Sequence, residues 1–151
     1  MANFMITKNI AAPPSAVFAL FADLERCPQH IKDITKLEIV TNGPVGVGTR
    51  FRETRKMYGR EHTEEMQITA FDPPLSYEVT CLSCGAEIRC EFRFVPENGG
   101  TRLELSTHTR SITFFAKLFT PLSWLMMGSM KKCMEKDLDD LKKAAEGTLV
   151  A

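Results

Sequence analysis

The residues best placed to do chemistry sit on two short runs flanking Tyr58-Gly59. If those two residues form a hairpin turn, Phe51 faces Met66, Glu53 faces Glu64, Arg55 faces His62 and Met57 faces Arg60. The alternate face pairs Lys56 with Glu61 and Arg52 with Glu65, opposite charges suited to water, so the Phe51/Met66 face turns inward. Glu53, Arg55, His62 and Glu64 then share the inner face or its rim. A carboxylate beside another holds its proton more tightly, so such a group can move protons or orient the polar end of a ligand. Glu53, His62 and Glu64 are the candidate acids and bases, and Arg55 a candidate ligand contact. The alternative is a tip that projects past the rest of the fold, leaving all four hydrated in surface ion pairs of small consequence.

Two further hairpins extend this inner face. A turn at Gly85-Ala86 places Cys81 opposite Cys90, Val79 opposite Phe92 and Tyr77 opposite Phe94, with Glu78 facing Arg93 outside. A turn one residue earlier, at Cys84-Gly85, would set Glu78 against Glu91, so the first register is expected. Cys81 and Cys90 could then approach within disulfide range, although buried free thiols are the simpler reading. The turn at Glu97-Asn98-Gly99-Gly100 aligns Phe94 with Leu103, Phe92 with Leu105 and Cys90 with Thr107 inside, and Arg89 with His108 outside. An inward Tyr77 needs a partner for its hydroxyl, either protein or ligand. Cys81 and Cys84 form a CxxC, but no second pair or His spacing follows, so no metal is expected.

These side chains need a sheet and something to cover it. Phe4 to Ile10 alternates apolar and polar residues and stops at Pro13-Pro14, which opens a short helix over Ser15 to Phe21, with a second short turn around Arg26 to Ile31. Alternating runs at about 34–41, 48–57, 60–71, 75–84, 87–96 and 101–110, separated by Gly, Pro and Asn, predict an antiparallel meander. From about Ile112 to Glu146 the chain fits one long helix, with a new start or kink at Thr120-Pro121. At helical spacing Met126, Met127, Met130, Cys133, Met134, Leu138 and Leu141 form a stripe facing the sheet, while Lys131, Lys132, Glu135, Lys136, Asp139 and Lys143 lie opposite. Methionines there give either a soft, adaptable cavity wall or ordinary helix packing.

The 151 residues carry 19 basic and 19 acidic side chains, an even balance that argues against a phosphate-neutralising, nucleic-acid-binding role. One domain spanning 1–151 is expected. The N-terminus lacks a secretory signal pattern, and five cysteines suggest reduced thiols, so the expected location is cytoplasmic. Ile112 to Met130 is strongly apolar, but Lys117, Pro121, Ser123 and Gly128 interrupt it, so no stable membrane insertion is expected. Trp124 and Leu125 fall outside the inward stripe and could touch a membrane, a carrier protein or a second subunit, as in a homodimer, unless a kink at Pro121 turns them inward. There is no GxxxxGK, GxGxxG, GxSxG or HExxH, and no cofactor is called for.

The order of elements, with PPSAVFALFADLERCPQHI, the GVGTRF strand start, ITAFDPP and the closing MEKDLDDLKKAAEG, resembles the START-like (SRPBCC) superfamily, and within it the polyketide cyclase/dehydrase and lipid-transport group. The resemblance implies an α+β helix-grip fold, a curved seven-stranded antiparallel sheet around a long C-terminal helix with two short helices after the first strand. It also implies an apolar cavity between sheet and helix. The expected function is binding or transport of a hydrophobic, lipid- or polyketide-like small molecule, with Phe51, Arg55, Met66, Tyr77, Val79, Phe92, Phe94, Leu105, Met126, Met130 and Met134 lining its site. The alternative is a cyclase or dehydratase using Glu53, His62 or Glu64. A protein-interaction module with a filled cavity is a third reading.

Overall fold

Two prolines end the first strand and begin the first helix, and the rest of the chain follows similar local stops. In the structure, a computed structural model that describes residues 2–57, 59–83, 86–111 and 120–150, strand β1 (Ala2–Ile10) leads into helix α1 (Pro14–Ala22). Pro14 supplies the first helical turn, where its missing N–H costs nothing. A 3-10 turn (Leu24–Arg26) and helix α2 (Cys27–His30) follow. Strands β2 (Ile34–Ile39), β3 (Arg50–Met57), β4 (Arg60–Asp72), β5 (Ser76–Ser83), β6 (Ala86–Glu97) and β7 (Gly100–Ser111) then form the meander, and helix α3 (Thr120–Val150) ends it. The expected elements are therefore present among the described residues, while the 112–119 start expected for the long helix lies outside them.

The curved antiparallel sheet runs β1-β7-β6-β5-β4-β3-β2, so α1 and α2 carry the chain from one edge strand to the other. The β3–β4 register is the expected one, with Phe51 opposite Met66, Glu53 opposite Glu64 and Arg55 opposite His62. The β6–β7 register also agrees, setting Phe94 opposite Leu103 and Arg89 opposite His108.

The β5–β6 register differs from expectation. Ser83 pairs with Ala86, so the connecting residues are Cys84 and Gly85, which lie outside the described residues. Tyr77 consequently faces Phe92, Val79 faces Cys90, Cys81 faces Ile88, and Glu78 faces Glu91. Cys81 and Cys90 are not opposite each other, and both are free thiols. The like-charge pair that argued against this register is offset on both faces. Outside, Thr69 on β4 donates a 2.6 Å hydrogen bond to the Glu78 carboxylate, and water screens the remaining repulsion. Inside, Tyr77 stacks on Phe92 with ring centroids 4.8 Å apart. Because the partner moves by two residues, every side chain keeps its face.

One half of the concave face is packed solid. Phe18 of α1 meets Phe71, Tyr77 and Phe94 at centroid distances of 5.4, 5.7 and 5.2 Å, and Phe21 meets Phe94 at 5.4 Å. Leu103 and Leu105 on β7 and Leu138 and Leu141 on α3 complete this buried cluster. Helix α3 lies closest to β1, α1 and α2. Its charged side chains tie it down: Asp139 pairs with Lys8 at 2.9 Å, Lys136 with Asp33 at 3.0 Å, Asp140 accepts from the Lys32 amide, and Glu146 from the Ala11 amide. Among the described residues no helix is long and apolar enough to cross a membrane.

Gly100, where β6 turns into β7, has no room for a side chain, since a Cβ there would lie 2.5 Å from the Ile10 carbonyl oxygen. Gly100→Ala should therefore force β1 and β7 apart and lower stability by about 1–3 kcal/mol, read as a fall in the urea midpoint.

Candidate functional site

Strand alternation puts residues 51, 53 and 55 of β3 on the concave face, and only Phe51 of the three is apolar. Arg55 spans the separation between sheet and helix. Its Nη1 donates to Asp137 Oδ1 at 3.0 Å and its Nη2 to Asp137 Oδ2 at 2.6 Å, a two-pronged ion pair that joins β3 to α3. Nη2 also donates to Glu53 Oε1 at 3.2 Å. The side chains of Glu53, Arg55 and Asp137 are 13%, 16% and 14% exposed, so the group is sheltered yet reachable from solvent. Glu64, opposite Glu53, lies 3.9 Å from the Cys81 thiol.

Shelter dictates the proton affinities. Burial raises the Glu53 pKa, the Arg55 charge opposes that rise, and the nearby Asp137 and Glu64 carboxylates reinforce it. Asp137 is raised by burial despite its hydrogen bonds from Arg55. For Arg55, burial disfavours the charge, but hydrogen bonds and attraction from Asp137 and Glu53 outweigh it and raise its pKa. Nearby thiols stay protonated: burial, with Glu53 as the next cause, pushes Cys27 up to about 12, while burial and Glu64 push Cys81 to about 12 and burial pushes Cys90 to about 11. These cysteines are thus poor nucleophiles at neutral pH. Among the described residues no cluster of His, Cys, Asp and Glu has metal-binding geometry.

The structure brings together Glu53, Arg55 and Glu64, and leaves His62 exposed at the rim opposite Arg55. His108 is exposed on the outer face. Sequence reasoning missed Asp137. Its position was legible: it follows Met134 by three residues, Cys133 by four and Met130 by seven, within the apolar stripe, but its charge disguised its face.

Beyond the solid half, the concave face is less filled. The inward-facing Met66, Ile88, Cys90 and Phe92 are only partly buried, as are Met130 and Met134 on the helix. Thr107 links the two layers, donating to the Met134 sulfur at 3.7 Å and lying 3.9 Å from the Cys90 sulfur. By contrast Phe51, Tyr77, Val79, Phe94 and Leu105 are buried within the core. Met126, Trp124 and Leu125 lie outside the described residues as far as their side chains are concerned, as does the 112–119 stretch of the proposed apolar front. A separate surface notch of about 340 Å³, lined by Asn9 to Ala11, Glu97 to Thr101 and Glu146, lies at the β6–β7 turn and includes none of these groups.

Residues 1–146 match the family model described as "Polyketide cyclase / dehydrase and lipid transport". The chain belongs to this family. No curated protein matches it. Among solved structures it is similar to Ara h 8.0201, with a TM-score of 0.79 and 18% identity over 95% of this chain and 97% of that one. The protein TTHA0849 from Thermus thermophilus superposes with a TM-score of 0.78 and 23% identity, over 97% and 99% of the two chains. The Zhui aromatase/cyclase from Streptomyces sp. R1128 gives a TM-score of 0.79 and 18% identity over 96% and 93%. At these identities the likeness establishes the START-like helix-grip fold.

The raised pKa of Glu53 has a definite consequence for stability. An acid that holds its proton more tightly when folded than unfolded binds more protons in the native state, so its contribution is fully present below the ordinary carboxylate value of 4.5 and is lost as pH rises through the folded pKa. Glu53→Gln should therefore gain stability relative to wild type between about pH 4.5 and neutrality, read as urea midpoints at several pH values. Arg55→Met, which leaves two sheltered carboxylates without their cation, should cost about 3–5 kcal/mol at neutral pH, and adding Asp137→Leu should recover part of that loss.

Proposed function

We propose that this chain, as one ligand-binding domain over residues 1–151, carries a hydrophobic small molecule between the sheet and α3. The observation that carries this reading is the pairing of a partly open apolar surface with a sheltered polar cluster: Met66, Ile88, Cys90, Phe92 and Met134 remain partly exposed on the inner face, beside Arg55, Glu53 and Asp137. Family membership supports it. The apolar side chains supply most of the affinity, at roughly 25 cal/mol per Å² buried, and the polar group fixes orientation. Met66, Phe92, Met130 and Met134 form the adaptable wall. Phe51, Tyr77, Val79, Phe94 and Leu105 form its rigid backing. The even charge balance leaves no part for nucleic acid, and the free thiols fit a reducing, cytoplasmic setting.

A second reading, an enzyme of the cyclase or dehydratase kind, is favoured by one observation: Glu53 holds its proton more tightly than an ordinary carboxylate while Arg55 and Asp137 fix its surroundings. In that reading the open half of the concave face folds a reactive chain and Glu53 or Glu64, with His62 at the rim, exchanges protons with it. Turnover of a model polyketide by wild type, Glu53→Gln and Glu64→Gln tests it. Loss of turnover in either variant, with folding intact, supports catalysis; no turnover by wild type despite tight binding supports the carrier.

Native mass spectrometry of protein purified from its host checks the primary reading. A copurified apolar molecule in one-to-one ratio is the expected result. An empty chain that also fails to take up an apolar fluorescent probe would contradict it.

A further inference from the structure

The inner row of β7 carries Thr101, Thr107 and Thr109, and their hydroxyls are not satisfied alike. Thr101 donates to the Ala12 carbonyl at 2.7 Å, and Thr107 donates to the Met134 sulfur at 3.7 Å. Thr109, the next inward residue, lies between Ile88 of β6 and Ala2 of β1. Its Oγ1 is shut off from solvent and has no hydrogen-bond partner. Elsewhere the fold meets such needs. Thr49 accepts from the Gly46 amide, and Asp140 accepts from the Lys32 amide. The Nε of Arg102, which also lacks solvent and a hydrogen bond, has Glu104 Oε2 3.4 Å away on the outer face. Among the described residues Thr109 is thus the exception, and it stands on the concave face.

Its surroundings define what is missing. Thr109 keeps some exposure although its oxygen has none, and Ile88 and Cys90 beside it are half-buried, so it belongs to the less filled part of that face. These neighbours supply no strong acceptor. Ile88 has no polar atom, Cys90 and Met134 offer only sulfur, and Thr107 already spends its proton on sulfur. The backbone carbonyls are engaged by the strand ladders on both sides. The same neighbours carry no formal charge, so an ionised ligand group would lose its water there without a counter-ion. An uncharged oxygen acceptor on an otherwise apolar molecule meets both conditions.

We propose that Thr109 is a hydrogen-bond anchor of the site, and that the molecule bound carries a carbonyl oxygen, of a ketone or ester, on the part lying against β6 and β7. Thr109 Oγ1 donates to that oxygen, which supplies the acceptor the fold omits. An unpartnered hydroxyl costs stability in the empty protein, and the ligand recovers that cost. This inference rests on the ligand-binding reading above and narrows its ligand class.

Titration calorimetry with 2-acetylnaphthalene and 2-ethylnaphthalene tests it, because the two probes share ring and shape and differ in the carbonyl. Thr109→Val replaces the hydroxyl with a methyl of similar size. The expected result is a weakening of 2-acetylnaphthalene by about three- to tenfold, an unchanged affinity for 2-ethylnaphthalene, and an equal or higher melting temperature for the empty variant. Thr109→Ser, which keeps the hydroxyl, should retain the preference for the ketone. In isotope-edited infrared spectra the bound carbonyl stretch should lie at lower frequency in wild type than in Thr109→Val. Both probes weakened alike, a ketone affinity unchanged by Thr109→Val, or an empty variant that melts lower would overturn the Thr109 assignment while leaving the carrier reading intact. Failure of wild type to bind either probe would overturn both.

Discussion

One guanidinium bridges the two layers of this fold across the concave face. Arg55 reaches from β3 across the concave face and is held on α3 by both oxygens of Asp137, with Glu53 sharing the same Nη2. Removing a charge from water costs several kcal/mol, and the interaction repays this only where partners and geometry are good. Here the geometry is bidentate and the shelter is incomplete, so the pair retains some hydration. A hydrophobic pair could hold helix to sheet as firmly. What the ion pair adds is position: it fixes one face of α3 towards β3 and keeps a polar group within an otherwise apolar wall.

The rest of the molecule divides around that bridge. On one side, Phe18, Phe21, Tyr77, Phe94, Leu103, Leu105, Leu138 and Leu141 fill the space between layers. Ion pairs and amide hydrogen bonds from Lys136, Asp139, Asp140 and Glu146 hold the same stretch of helix to β1 and to the segment after α2. On the other side, inward-facing residues such as Met66, Ile88 and Cys90 keep some exposure. A rigid base beside an adaptable, methionine-bearing surface suits a binding site better than a uniformly packed core does.

Much of this was legible in the sequence because strand periodicity is unforgiving. Once Tyr58-Gly59 is taken as the turn, alternation commits Glu53, Arg55, His62 and Glu64 to one face, as the β3–β4 register bears out. The β5–β6 register departs from the sequence expectation because charge pairing on the outer face does not decide it alone. Glu78 opposite Glu91 looked unfavourable, but Thr69 satisfies Glu78 from the neighbouring strand and the Tyr77–Phe92 stack rewards the inner face. Both depend on strand neighbours, and the inner-face assignments survived because the two registers share parity. Asp137 escaped notice for the opposite reason: its helical phase was correct, but an acid on an apolar stripe has meaning only once Arg55 is seen across from it. The exposure of the concave face depends on how far α3 stands from the strands, which no local pattern encodes.

The central claim is that the partly open half of the concave face, next to the Arg55–Asp137 bridge, receives the ligand. Amide and methyl NMR spectra recorded during titration with decan-1-ol test this most directly. The account predicts shifts concentrated on Met66, Ile88, Cys90, Phe92 and Met134 and at Arg55. Shifts confined to the notch around Gly100 and Glu146 or to the outer sheet face, with the concave residues unmoved, would contradict it.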